Sequence, residues 1–353
     1  MKIGILTSGG DCAGLNAVMH GFVKAITAID PKVEIYGIFD GYDGLINRKY
    51  RAIEPQEFSN ILKMGGTILG TSRQPYKKLI QIEDNNKAAQ MKDNYRKMDL
   101  DALIILGGQG THKTAAFLSN EGLNVVALPK TIDNDIWGTD FTFGFHSAVN
   151  IATECIDRIQ TTAASHGRAM IVEIMGNKVG WLTLYAGIAS GSDIIIIPEI
   201  PYDIDKIIKA VEAAEKKNGF CIIAAAEGAM DKEEALFSKK ERIQKRAERG
   251  EITASNRIAK AIAEKLNVET RVVVPGHIQR GGSPTPYDRV ICTQMGAYAA
   301  KLVGERRFGQ TVALDGGKIT SNNLAEVAGK TKFVLPKHEL VRAAKEIGIS
   351  FGE

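Results

Sequence analysis

An α/β fold with two mostly parallel sheets is predicted for this chain from three observations. Short, continuous apolar runs alternate with segments of helical periodicity, the pattern of strands buried on both faces by helices. Those runs end in glycine or proline, as strands do where the chain turns. The 353 residues suit roughly two domains of ~150 residues, one sheet in each.

Taken in order, Ile3 to Leu6 reads as a buried strand that turns at Ser8-Gly9-Gly10-Asp11. Val18, Phe22, Ala25, Ile26 and Ile29 then share one side of a helix. Val33 to Phe39 is a second strand, and Ala102 to Leu106 a third that feeds Gly107-Gly108-Gln109-Gly110-Thr111. Asn124 to Leu128 is the strand before Pro129-Lys130-Thr131-Ile132-Asp133-Asn134-Asp135. Ala148, Ile151, Ala152, Cys155, Ile156 and Ile159 recur at helical spacing. Further strands are expected at Ala169 to Ile174, Asp193 to Ile197, Phe220 to Ala226 and Arg271 to Val274. Lys232 to Leu266 reads as a helical, highly charged region. Its basic cluster from Lys239 to Arg246 includes Glu241, the pattern of a solvated helix face and not of a binding patch. Asp315-Gly316-Gly317 signals a hairpin between Val312-Ala313-Leu314 and Ile319-Thr320. No internal repeat or low-complexity linker marks a boundary.

Composition excludes several classes. With 44% apolar and 24% charged residues, the chain is globular and not disordered. A net charge of +4 makes no case for a nucleic-acid or membrane surface. Cys12, Cys155, Cys221 and Cys292 lie far apart without a C-x-x-C pair, which argues against a disulfide framework or zinc site and for reduced thiols. The N-terminus lacks a signal-peptide core, and the longest apolar runs, such as Ile194 to Pro198, are of strand length. A soluble, cytoplasmic protein is expected.

In parallel α/β sheets, ligand crevices lie at the carboxyl ends of strands, where the glycine turns sit. One Gly-Gly turn can be a mere tight connection, but two at that edge point to phosphate. Asp11 fits an N-cap better than a ligand. Lys130 can answer a phosphate's charge, while one aspartate accepts a hydroxyl proton and another carries a metal. Close carboxylates repel, and a magnesium ion bridging donor phosphates removes the conflict; the bland alternative is an Asp-Asn-Asp surface turn. In Gly276-His277-Ile278-Gln279-Arg280-Gly281-Gly282-Ser283-Pro284, a histidine and an arginine flank a glycine turn suited to a small phosphate ester. His277 could instead be a satisfied core histidine. Arg271 stands toward the far end of the preceding strand, and Glu227, at a strand end, is a natural acceptor for sugar hydroxyls. The residues together form a set for moving a phosphoryl group to a hydroxyl.

Thr7-Ser8-Gly9-Gly10-Asp11, Gly65-Gly66-Thr67-Ile68-Leu69-Gly70-Thr71-Ser72-Arg73, Pro129 to Asp135 and Gly276 to Pro284 resemble, in the same order and over nearly the whole chain, the motifs of the 6-phosphofructokinase family. The resemblance implies two Rossmann-like three-layer domains with the active site in the cleft between them. It implies a donor domain of residues 1–138 plus about 255–305 and a sugar-phosphate domain of 139–254 plus about 306–353. The implied activity is phosphorylation of fructose 6-phosphate to fructose 1,6-bisphosphate with ATP and magnesium, in a homotetramer or homodimer whose subunits share sites.

By the same resemblance, Asp133 looks like the base for the sugar's primary hydroxyl, with Thr131 orienting the reacting groups and Arg73 meeting the transferred phosphate. Gly10, Gly108, Gly110, Thr111 and Lys130 fall at donor-binding positions, and Gln109 and Asp135 at metal-associated ones. Met175, Gly176, Glu227, His277 and Arg280 match residues around fructose 6-phosphate. Arg168 and Arg271 match arginines that reach its 6-phosphate from a neighbouring subunit.

The chain departs from the family pattern at Gln109, where an acid is usual, and at Asn177, where many relatives have arginine; the adjacent Lys178 could replace that charge. Gly110 stands where pyrophosphate users commonly have aspartate, which favours ATP, whereas Lys130 resembles the lysine of pyrophosphate users. The alternatives are thus a reversible pyrophosphate-dependent enzyme and a non-catalytic sugar-phosphate-binding paralogue. NAD kinases and diacylglycerol kinases share a similar glycine turn but not the Lys130 to Asp135 or His277 to Pro284 segments. At the effector-site positions this chain has His20, Lys24, Gln160 and Asn218, of which only Lys24 is a permanent cation, so weak or absent ADP activation and phosphoenolpyruvate inhibition are expected.

Overall fold

Eleven strands set the architecture in a computed structural model that describes residues 1–80, 86–248, 250 and 253–353. In chain order they are β1 (Lys2–Ser8), β2 (Glu34–Ile38), β3 (Tyr50–Ala52), β4 (Ala102–Gly107), β5 (Val125–Pro129), β6 (Ala169–Ile174), β7 (Ile194–Ile196), β8 (Cys221–Ala226), β9 (Thr270–Val273), β10 (Gln310–Asp315) and β11 (Lys318–Asn323). They divide between two compact units, the first Met1–Ser147 with Arg280–Lys332, the second Ala148–Gln279 with Phe333–Glu353.

The first unit holds a seven-stranded sheet in the order β11-β10-β5-β4-β1-β2-β3. Its inner pairs are parallel, and β3 and β11 close the two edges antiparallel. The apolar runs of β1, β4 and β5 are buried because helices cover both faces. On one face Leu6, Leu103, Ile105 and Val125 pack with Ala115 and Leu118 of the helix Gln109–Asn120. Elsewhere in the unit the helices Leu15–Ile29 and Pro286–Gly304 cross so closely that a Cβ on Gly21 would stand 2.7 Å from the Thr293 carbonyl oxygen. The hairpin expected at Asp315-Gly316-Gly317 joins β10 to β11 through a two-residue loop, Gly316 and Gly317 both having positive φ.

The second unit holds the parallel sheet β7-β8-β6-β9. Ile194, Ile196, Ile223 and Ala225 pack with Ile207 and Val211 of the helix Ile204–Asn218 and with Ile258 and Ile262 of the helix Ala254–Lys265. The alternate residues Ile195 and Ala224 meet Gly187 of the helix Trp181–Ala189 on the other face.

Strand pairing corrects the expected boundaries. Residues 255–279 stay in the second unit, where β9 pairs with β6, and residues 306–332 stay in the first, where β10 pairs with β5. The strand β3 was not expected, since its three residues carry no apolar run. All four cysteines are free thiols, and among the described residues no helix is long and apolar enough to cross a membrane.

Candidate active site

Register brings three motifs of the first unit to one edge. Ser8 of β1 pairs with Gly107 of β4, and Gly107 with Pro129 of β5, so both glycine turns and Lys130 leave the sheet side by side. The helix Gln109–Asn120 starts from Gly108 with no side-chain cap, and its ladder begins with the His112 amide on the Gly108 carbonyl at 3.0 Å. The preceding amides lie outside that ladder, at the positive end of the helix, which is the arrangement that takes an anion. Gly110 is exposed, and nothing lies within 4 Å of where its Cβ would be. Thr111 is buried, its carbonyl accepting the Tyr42 hydroxyl at 2.9 Å. His112 meets the Gly108 carbonyl through Nδ1 and Thr311 Oγ1 through Nε2, and burial pushes its pKa down to about 4.

Cations converge on the other turn. Gly9 has φ +88 and donates its amide to the Ser72 carbonyl at 3.0 Å, while Thr71 Oγ1 donates to the Gly9 carbonyl at 2.7 Å, so Arg73 arrives beside Gly10. A Cβ on Gly10 would lie 2.5 Å from Arg280 Nη1 and 3.3 Å from Arg73 Nη2, so a side chain there would push the guanidinium groups off the turn. Lys130 is buried with its ammonium on the Gly10 carbonyl, and Arg280 Nη1 donates to the Asp11 carbonyl at 3.1 Å. Burial lowers the Lys130 pKa, opposed by Cys12, assisted by Arg280, and opposed again by Asp133 and Asp11. Asp11 is not the cap of the next helix, which begins after Gly14 in the left-handed region. The chain needs three more residues to turn into the helix than the motif alone implied.

The carboxylate turn lies in the same unit. Thr131 Oγ1 accepts the Asp133 amide at 3.1 Å, and the Thr131 carbonyl accepts Thr142 Oγ1 at 2.7 Å. Asn134, buried and at φ 53, accepts the Thr142 amide at 3.1 Å. Asp133 is half-buried and Asp135 buried, which removes the surface-turn alternative. Gln109 Nε2 donates to the Lys330 carbonyl at 3.0 Å and to Thr331 Oγ1. Among the described residues no group of three or more His, Cys, Asp or Glu could hold a metal ion. Gln109 and Asp135 would supply at most two protein oxygens, the number magnesium takes where phosphate and water complete its shell.

The second unit gathers a different set. Ile174 and Ala226 pair at the ends of β6 and β8, and the Glu227 amide donates to the Ile174 carbonyl at 2.8 Å. Gly176 has φ +143, open only to glycine, and its carbonyl accepts the Gly228 amide at 3.2 Å. The Met175 amide donates to Gln279 Oε1 at 3.2 Å, tying the His277 turn to the strand end. His277 is exposed, so it is no core histidine. A cavity of about 250 Å³ is lined by Glu173, Asn177, Glu227, Arg242, Arg246 and Thr253. Arg242 and Arg246 come from the helix Lys239–Glu248, so one side of the basic cluster faces a cavity and not only solvent. Their four-residue spacing was the available signal.

Arg168 and Arg271 stand at the other edge of this sheet, both paired with Glu269, Arg168 Nε at 2.8 Å. Arg168 precedes β6 and Met175 follows it, so the length of the strand, about 20 Å, separates them. Arg280, expected among the sugar contacts, belongs to the first unit with Gly10 and Arg73.

A protein-family model described as phosphofructokinase matches residues 2–303. The ATP-dependent 6-phosphofructokinase of Spirochaeta thermophila is 50% identical over 356 residues, covering 99% of this chain and 97% of its own length. ATP-dependent 6-phosphofructokinase 3 of Bacteroides thetaiotaomicron is 45% identical with both chains covered in full (100%). Among solved structures, Pichia pastoris phosphofructokinase in the T-state has a TM-score of 0.80 at 30% identity, covering 98% of this chain and 36% of that one. A pyrophosphate-dependent phosphofructokinase from Nitrosospira multiformis has a TM-score of 0.83 at 19% identity over 100% of this chain and 92% of its own, a likeness of fold alone.

Proposed function

This chain belongs to the phosphofructokinase family, and from that premise we propose that it transfers the γ-phosphoryl group of ATP to the 1-hydroxyl of fructose 6-phosphate, releasing ADP. The observation that carries the reading is the convergence of Arg73, Arg280 and Lys130 on the Gly9-Gly10 turn, with the helix start at Gly108 and the Asp133 turn on the same sheet edge.

The amides of Gly108, Gly110 and Thr111 receive the donor phosphates. Asp133, braced by Thr131, takes the proton of the sugar hydroxyl as its oxygen bonds to the γ-phosphorus and the bond to the bridging oxygen breaks. Arg73 and Arg280 balance the charge on the phosphoryl group in transfer. Asp135 and Gln109 Oε1 would hold magnesium, which screens the donor phosphates when bound. Met175, Gly176, Glu227 and His277 hold the sugar in the second unit. Arg168 and Arg271 serve the 6-phosphate of a neighbouring subunit's ligand in a dimer or tetramer, a role supported by their place across the sheet from Met175. The open space at Gly110 supports ATP over pyrophosphate. All the metabolites are soluble, in keeping with a cytoplasmic enzyme.

The test is formation of fructose 1,6-bisphosphate by the purified protein with magnesium, fructose 6-phosphate and either ATP or pyrophosphate. Turnover with ATP is expected. Asp133→Ser should lose about a hundredfold or more in kcat with sugar-phosphate affinity kept. Near-normal turnover in that variant removes Asp133 as base, and turnover with pyrophosphate alone reverses the donor assignment.

A further inference from the structure

We propose that Lys332 and Gln109 are positioning residues, and that the segment Lys330-Thr331-Lys332 is a strap fixing the Thr131 to Asp135 turn against the start of the helix Gln109–Asn120. The proposal rests on the reading that this turn carries the base.

The strap grips the turn with both main chain and side chain. The Lys332 amide donates to the Asp135 carbonyl at 2.9 Å, and Thr331 forms an antiparallel bridge with Ile136. Lys332 Nζ then meets three acceptors, Asn134 Oδ1 at 2.9 Å, the Thr139 carbonyl at 2.8 Å and the Asp140 carbonyl at 2.7 Å. An ammonium has three N–H donors, so this set satisfies it. Asn134 is the residue between the two carboxylates, and it sits in the left-handed region that non-glycine residues seldom enter. Its side chain is held at both ends, since Oδ1 also accepts the Thr142 amide and Nδ2 donates to the Asp140 carbonyl at 3.3 Å. Lys332 therefore braces the pivot that sets Asp133 and Asp135 apart.

At its other end the strap holds the donor side. Gln109, the first residue of the helix, gives its amide hydrogens to the Lys330 carbonyl and Thr331 Oγ1. Neither aspartate nor glutamate can make the bond to the Lys330 carbonyl, because an ionised carboxylate only accepts. The residue that departs from the family pattern is thus matched to a bond in this structure that an acid would break. Two catalytic elements 20 or so residues apart in sequence share one brace, and a shift of about 1 Å between such elements can cost on the order of a hundredfold in rate.

Three variants test this beside the wild type: Lys332→Met, Lys332→Arg and Gln109→Glu. Each is followed by thermal melting, calorimetric affinity for fructose 6-phosphate, kcat and KM for both substrates, and magnesium titration. Lys332→Met is expected to bind the sugar phosphate with a KM within about threefold of wild type and to lose about ten- to a hundredfold in kcat. Lys332→Arg, which restores a cation with several donors, should recover most of that loss. Gln109→Glu is nearly isosteric and should lose about tenfold in kcat without lowering the magnesium requirement. Wild-type kcat in a folded Lys332→Met overturns the proposal. So does a Gln109→Glu variant that keeps its kcat and needs less magnesium, which makes Gln109 a metal residue only. If Lys332→Met does not fold, the arginine and glutamate variants decide. A wild type inactive with every donor overturns the functional reading and the strap's role with it, whereas an active wild type with indifferent variants overturns the strap alone.

Discussion

Replacing Gly110 with aspartate should turn the donor site against ATP while leaving the fold intact. No atom lies within 4 Å of the new Cβ, and the backbone there does not need glycine, having no positive φ. Gly110 is in the first turn of the helix Gln109–Asn120, where an added carboxylate gains about 0.3–1 kcal/mol from the helix dipole. The melting temperature should therefore hold or rise slightly. The same carboxylate sits among the amides that would receive the donor phosphates. Two unit charges about 5 Å apart at an effective dielectric constant of about 20 repel by about 3 kcal/mol. That is about a hundredfold in binding. The assay is steady-state kinetics with ATP beside calorimetry with fructose 6-phosphate. kcat/KM for ATP should fall about a hundredfold, with sugar affinity unchanged. A folded Gly110→Asp variant that uses ATP within about threefold of wild type would refute the placement of the nucleotide phosphates at this helix start.

Three further outcomes are expected. Gly10→Ala pushes Arg280, the far end of a flexible side chain, off the turn; stability should change little while kcat/KM falls about tenfold or more, and unaltered kinetics would detach the two guanidinium groups from catalysis. His112 has a folded pKa of about 4, below the ordinary 6.5, so the unfolded chain binds more protons between those values. Its contribution, roughly 3 kcal/mol, is complete above pH 6.5 and lost as pH falls toward 4; urea melts of wild type and His112→Gln should diverge in that window, and parallel curves would show that the imidazole is not held neutral. At the positions the family resemblance aligns with an effector site, His20 Nδ1 meets the Phe58 carbonyl at 2.7 Å and Asn218 Nδ2 the Asp193 carboxylate at 3.1 Å, and only Lys24 is a permanent cation. Millimolar ADP or phosphoenolpyruvate should therefore leave the fructose 6-phosphate saturation curve in place, and a clear shift would count against that reading.

What the sequence reveals of this molecule depends on how local the cause is. The strands β1, β4, β5, β6 and β8 were legible because a parallel sheet buried on both faces demands a nearly continuous apolar run, which a few neighbouring residues supply. The glycine turns were legible for the same reason, each being a local conformational need at a strand end. Unit boundaries were not. They follow from β9 choosing β6 and β10 choosing β5, pairings between residues far apart whose apolar faces look alike in sequence. The arginines of the basic cluster show a subtler limit. Arg242 and Arg246 face a cavity while Gln244 and Glu248 on the same helix are exposed, and composition cannot say which stripe of a charged helix is covered. The strap is the extreme case. Lys332 reaches Asn134 across 198 positions and Gln109 reaches Thr331 across 222, with no periodicity or motif to connect them. Yet Gln109 did stand out beforehand, as a break in a family pattern. The partner of its side-chain amide, the carbonyl of Lys330, lies 221 positions away and becomes visible only once the chain is folded.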